Sequence, residues 1–304
     1  MEKLIYLDQN IISLLRDERF EFREQPDQTV AFSDEHYREI RRSTSSERFL
    51  QVLGSLNAVK LTLQMDGSWQ QTGNAIVSRE VDLKLDFQQY LRNLEDIDFD
   101  ETGFDALQAM LNGKPGSEGV MEAAISQQLS LHKLIEGFGD SEYKNRIDTV
   151  SAEFQKTIRE MASKDNDIVR NRARLGIEKG DLEGLKPETA LNDIWDLVSK
   201  NCDGLTARQF YGFDPLPGVA PQNRPLYSSI CGCCAVLDIV GYQAEKKIRK
   251  IDRLPNVRSD SGHLGMATFC QAFVTADQRL SKRAKAIYSF LGIPTEVIFY
   301  RENP

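Results

Sequence analysis

Leu4-Ile5-Tyr6-Leu7-Asp8-Gln9-Asn10 and Ala272-Phe273-Val274-Thr275-Ala276-Asp277 decide how this chain folds. Each is a short, β-rich apolar run that ends on an acid and leads into a helix-forming segment. Residues 3–7 and 272–275 therefore read as buried strands of a parallel sheet, with Asp8 and Asp277 where strand gives way to helix. In an open α/β sheet those strand ends face the crevice in which ligands bind. A third acid, Asp260 in Ser259-Asp260-Ser261-Gly262-His263, stands at another expected helix start.

Outward from the first run, the chain alternates. A strand at 29–32 precedes Ser33 as a helix cap, a helix at 34–42, a second helix at about 46–56 and a strand at 59–63. Around the second run come helices at about 227–250 and 260–270, the strand at 272–275, a helix at 278–291 stopped by Gly292, and a strand at 296–300. This alternation predicts one α/β domain with a central parallel sheet, discontinuous in sequence over 1–65 and 226–304.

Residues 66–225 read as an inserted, mostly α-helical subdomain. Ile147, Val150, Phe154, Ile158 and Met161 form one apolar stripe, and Val120, Ala124, Ile125, Leu129, Leu131 and Ile135 a second before Gly137-Phe138-Gly139. A helical hairpin buries two such faces against each other, or against a second copy in a homodimer. The stretch 201–224, with Pro215, Pro217 and Pro221, reads as a loop back into the sheet domain.

With 304 residues, 40% hydrophobic and 28% charged, the composition is that of a globular protein. No 18-residue apolar run occurs, and no apolar leader follows Met1-Glu2-Lys3, so we expect a soluble, cytoplasmic protein with no membrane partner. The net charge of −8 excludes wholesale attraction to phosphate, so any nucleic-acid contact has to be local. Candidates for it are Lys246, Lys247, Arg249, Lys250, Arg253 and Arg258 on one side of the Asp260 motif, and Arg279, Lys282, Arg283 and Lys285 after Asp277. Solvated helix faces are the competing reading. Cys231, Cys233 and Cys234 share one expected helix, which cannot wrap all three around a tetrahedral zinc, so they read as buried reduced thiols. Asp96-Ile97-Asp98-Phe99-Asp100 starts like a calcium loop, but Glu101 stands where glycine is needed and Leu107 where glutamate is needed.

Asp8, Glu39, Asp260 and Asp277 are the candidate acids. Brought together at strand ends, they offer the hard oxygen ligands that Mg2+ and Mn2+ prefer. The three aspartates have capping as a competing role, and Glu39 a solvated helix position. Glu39 is chosen over Asp34 and Glu35 because it adjoins Ile40 at the edge of the apolar face shared with Tyr37.

These segments resemble the PIN-domain family of metal-dependent ribonucleases. Leu7-Asp8-Gln9-Asn10 is similar to the family's opening strand and Asp-x-Asn. Phe32-Ser33-Asp34-Glu35-His36-Tyr37-Arg38-Glu39-Ile40 is similar to its Ser/Thr and Glu-bearing helix. The most extensive likeness runs from Asp260-Ser261-Gly262-His263 through Thr275-Ala276-Asp277 to Leu291-Gly292-Ile293-Pro294-Thr295-Glu296-Val297. It covers about residues 1–60 and 226–300, close to half the chain, and leaves 66–224 unmatched.

The resemblance implies a three-layer PIN-like fold and a metal-dependent endoribonuclease. Asp8, Glu39, Asp260 and Asp277 would hold Mg2+ or Mn2+ and leave 5′-phosphate and 3′-hydroxyl ends. Asn10, Ser33 and Thr275 would aim the carboxylates, and His263 would touch substrate or be structural. RNA is the implied substrate, a toxin or phage-defence effector the implied setting, and a regulatory protein a further partner. The alternatives are a structure-specific DNA nuclease and a non-catalytic PIN-like binding or scaffold module.

Overall fold

The structure is a computed structural model that describes residues 2–22, 25–67, 70–96, 152, 156, 168–216, 225–244 and 254–301. Six strands form one sheet: β1 (Lys3–Leu7), β2 (Gln28–Ser33), β3 (Val59–Met65), β4 (Gln71–Ser78), β5 (Ala272–Thr275) and β6 (Glu296–Phe299). Their order is β4-β3-β2-β1-β5-β6. All neighbours run parallel except β3 and β4, which pair antiparallel. The strand order therefore reverses at β1, with β2 and β3 to one side and β5 and β6 to the other. The crevice beyond the carboxyl ends of β1 and β5 is the topological switch point of such a sheet.

Among the described residues the α-helices include α1 (Gln9–Arg16), α2 (Asp34–Ile40), α3 (Ser46–Ser55), α4 (Leu83–Asp96), α5 (Ile168–Arg174), α6 (Ala190–Val198), α7 (Ala207–Phe210), α8 (Leu226–Val240), α9 (Leu254–Ala267) and α10 (Gln278–Leu291). Alternation along the strands sends side chains to two cores. Ile5, Leu7, Val30, Phe32 and Val274 pack against Ile11 of α1, Tyr37 of α2, Leu53 of α3 and Phe87 of α4. Tyr6, Ala31, Leu61 and Phe273 pack with Ile194 of α6, Leu237 of α8, Leu264 of α9 and Ile287 of α10 on the opposite face. Strands that are apolar on both faces are what a helix-covered parallel sheet requires.

The expected strands and helices of residues 3–65 and 272–299 recur at nearly the expected positions. The long helix expected to 250 stops instead at Val240, because Gly241 takes a left-handed φ of 96° and the Arg172 guanidinium donates to the last carbonyls, those of Asp238 and Ile239. The expected boundary at residue 65 is not a packing boundary. β4 extends the sheet, Phe87 and Tyr90 of α4 enter one core, and Leu191 and Ile194 of α6 enter the other. The two apolar stripes of residues 120–161, the calcium-loop-like segment from Ile97 on, and Lys246, Lys247, Arg249, Lys250 and Arg253 lie outside the described residues; at Arg258 only the backbone is described. No helix among the described residues is long and apolar enough to cross a membrane.

Candidate functional site

Asp8 follows β1 directly and caps α1: its Oδ1 accepts from the Ile11 amide at 2.9 Å. Its other oxygen accepts from the Thr275 hydroxyl and, at 3.4 Å, from the Asn10 amide nitrogen. Only 1% of Asp8 is exposed. Burial pushes its carboxyl up to about 6, against the lowering pull of the Thr275, Ile11 and Asn10 hydrogen bonds.

Asp277 follows β5 and caps α10, its Oδ1 accepting from the Arg279 amide at 2.7 Å and the Leu280 amide at 3.0 Å. Thr275 links the two aspartates. Its hydroxyl donates to Asp8 and accepts from the Asp277 amide at 3.0 Å, in a residue with no solvent exposure. One side chain thus ties the two aspartates together at the ends of β1 and β5, which the backbone already holds side by side through the Asp8 amide and the Val274 carbonyl. Capping and gathering turn out to be one arrangement: the amides that hold each aspartate also fix where its carboxylate sits.

Glu39 comes from α2 and Asp260 from α9. Glu39 Oε1 meets His263 Nε2 at 3.2 Å, with the histidine buried and the glutamate side chain 22% exposed. Burial works to raise the Glu39 pKa, but the hydrogen bond and charge of His263 outweigh it and leave it lowered. Burial likewise works to lower the His263 pKa, and Glu39 reverses it to a rise. Each shift favours the charged form of its group. His263 Nδ1 lies 2.9 Å from the Tyr6 hydroxyl, which in turn lies 2.6 Å from Ser33 Oγ. Nε2 donates to the Glu39 carboxylate, and the Tyr6 hydroxyl bridges His263 Nδ1 and Ser33 Oγ.

Beside this relay stands His36, whose Nε2 donates to the Leu7 carbonyl at 2.8 Å while its Nδ1 accepts from the Ser33 amide at 3.1 Å. Burial, with the charge of His263, pushes the His36 pKa down to about 3, so the ring is neutral. The Asp260 carboxyl is raised well above its ordinary value, first by burial and then by the charges of Glu39, Asp277 and Asp8, with His263 opposing.

All four expected acids line one cavity of about 170 Å³, together with Gln9, Asn10, His263 and Arg279. Gln9 is buried, and its Oε1 has no hydrogen-bond partner. Among the described residues, no three His, Cys, Asp or Glu side chains converge closely enough to form a ready metal-ligating group. The donors are nevertheless all-oxygen, mutually repelling and accompanied by an orphaned amide oxygen, a set that suits a hard divalent cation.

The expected supporting residues divide. Asn10 and Thr275 both donate to Asp8, and His263 meets Glu39 from within the core. Ser33 touches no carboxylate of the cavity: it caps α2 in a reciprocal box with His36 and receives Tyr6. Arg279 reaches the cavity, with Nη2 3.5 Å from Asp277 Oδ2. Arg283 corrects its expectation as a phosphate contact. It is buried and ion-paired with the fully buried Asp238 of α8, because the spacing Leu280, Arg283, Ala284, Ile287 places it on the core face of α10. Lys282 is half-buried on the same helix. Tyr6, Gln9 and His36 escaped the sequence reading. Tyr6 had a usable signal, since a tyrosine inside a buried strand must find a partner for its hydroxyl.

α9 brings its residues in by leaving others out. Asp260 and His263 face the cavity, while a Cβ on Gly262 would lie 2.3 Å from Glu35 Cδ and one on Gly265 2.6 Å from Tyr227 Cδ2. Glu35 is buried there by Arg38 and by the Tyr227 hydroxyl, which donates to it at 2.6 Å. Asp34 is paired with Lys60 at 2.9 Å, so neither competes with Glu39 for the cavity. The five cysteines are unpaired thiols; Cys231 is pushed up to about 12 by burial, and Cys233 and Cys234 are raised by it as well.

No family model, curated protein or solved structure was found to match this chain.

Proposed function

We propose that the chain is a PIN-like, Mg2+- or Mn2+-dependent endoribonuclease. The observation that carries this reading is that Asp8, Glu39, Asp260 and Asp277, from four separate segments, line one small cavity at the switch point of a mostly parallel sheet. Those four, with the Gln9 oxygen, would hold the cation. When bound it would supply Lewis-acid stabilisation of the scissile phosphate and a lowered pKa for the attacking water.

The chain's own residues do the rest. Thr275 and the α1 and α10 amides fix Asp8 and Asp277, and His263 fixes Glu39. Asp260, buried and then crowded by three carboxylates, retains its proton more readily than an ordinary carboxyl until positive charge arrives. Arg279 offers a guanidinium to the phosphate from the same cavity wall. A toxin or phage-defence setting, a homodimer and a regulatory partner are proposals that rest on the family resemblance and on the sequence of residues 66–225.

The test is incubation with single-stranded RNA, tRNA and a DNA flap in Mn2+, beside EDTA and an Asp260→Asn variant. Cleavage of RNA alone, lost with EDTA and in the variant, is the expected result. Cleavage of the flap instead points to the DNA nuclease. Silence on all substrates without a Mn2+-induced thermal shift overturns the catalytic reading in favour of a binding module.

A further inference from the structure

A second, larger cavity of about 490 Å³ opens beside the acidic one, and the two share Asn10 and Asp277 in their walls. Its remaining lining comes from α1 and the turn after it, including Asp17 and Arg19, and from the end of β6, including Tyr300 and Arg301. At about 170 Å³ the acidic cavity has room for ions, water and phosphate oxygens, whereas its neighbour falls in the range of roughly 300–1,000 Å³ typical of organic ligands.

We propose that this neighbouring cavity seats a nucleobase of single-stranded nucleic acid whose adjoining phosphate enters the acidic cavity. The inference rests on the nuclease reading for its orientation and on three independent features for its ligand. Tyr300 supplies an aromatic wall held in place: its ring meets Phe20 edge-on at 4.6 Å, and its amide donates to the Thr275 carbonyl at 2.9 Å. Stacking on such a ring is the sequence-tolerant way to hold an unpaired base. The charge also suits a phosphodiester chain. Asp17 is neutralised by a two-point pair with Arg16, both contacts at 2.8 Å, and Arg301 adds a cation to the wall away from Asp277. Finally, Asn10 and Ser13 add hydrogen-bonding side chains along the same wall. A duplex would keep its bases stacked and unavailable to such a pocket, so the site selects unpaired strands.

The experiment uses the full chain carrying Asp260→Asn, so that binding is measured without cleavage. Fluorescence anisotropy compares a single-stranded RNA octamer with an octamer of abasic ribose-phosphate in Mn2+. The intact strand is expected to bind at least about tenfold more tightly. Tyr300→Ala should erase that gap while leaving abasic binding unchanged, and Tyr300→Phe should preserve it. Equal affinity for both octamers overturns the proposal, as does a gap that survives Tyr300→Ala. Cleavage by the unmodified chain is scored separately. Cleavage with equal octamer binding sinks the base pocket alone, and base-dependent binding without cleavage sinks the nuclease reading alone.

Discussion

Replacing Asp8 by Asn should stabilise the metal-free protein at neutral pH. Asp8 has a folded-state carboxyl near 6, against an ordinary value of 3.8, chiefly because it is buried. That difference is worth roughly 3 kcal/mol, at about 1.4 kcal/mol for each tenfold change in the proton equilibrium. Because the folded-state value is the higher one, the penalty is absent below the unfolded value, where both states are protonated. It grows as pH rises through about 6. Asparagine removes the charge and its side-chain oxygen can still accept from the Ile11 amide, while its NH2 faces Thr275 and Asn10, whose donors must turn away and offset part of the gain. Urea denaturation in EDTA should therefore show Asp8→Asn more stable than the parent by ~1–3 kcal/mol at about pH 7.5, with the gap closing near pH 4. Saturating Mn2+ should stabilise the parent and leave the variant unmoved. If the variant is destabilised by the same amount at both pH values, Asp8 is an ordinary cap and not a strained member of a charge cluster.

Three further substitutions probe separate parts of the frame. His263→Ala should lower the single-turnover cleavage rate by roughly 10–100-fold with the circular dichroism spectrum retained, since it frees Glu39; an unchanged rate removes the orienting role. Asp238→Ala leaves Arg283 charged and buried, and should cost about 3–5 kcal/mol in urea, with Asp238→Leu/Arg283→Met much milder; a neutral effect would mean that Arg283 reaches water. Gly262→Ala drives a methyl into the Glu35 carboxylate and should cost about 1–3 kcal/mol, part of which Glu35→Ala returns in the double variant; two additive losses would refute the clash.

Much of this frame was legible in the sequence, for identifiable reasons. β1, β2 and β5 are buried on both faces, so they read as apolar runs, and the acid after each of two runs marks a strand end at the crevice. β4 was not legible: Gln71–Ser78 is an edge strand, exposed along most of its length, and carries little of the apolar pattern that identifies strands. Arg283 was misread from its basic neighbours, although its distance of three from Leu280 and four from Ile287 puts it on the core face. The Glu39–His263–Tyr6–Ser33 relay joins residues far apart in sequence, and only the packing of α2 and α9 across β1 brings them into register.

The position of β5 has a consequence for how the molecule comes into being. It lies beside β1, the centre of the sheet, yet 264 positions separate Asp8 from the start of β5 at Ala272. A nascent chain can pair β1 with β2 and pack α1 to α3 long before Thr275 leaves the ribosome. Until then Asp8 has no hydroxyl to hold it, and neither Asp260 nor Asp277 is in place. The four-carboxylate cavity therefore cannot exist on a partly made chain, and whatever chemistry it supports is withheld until synthesis has passed residue 277.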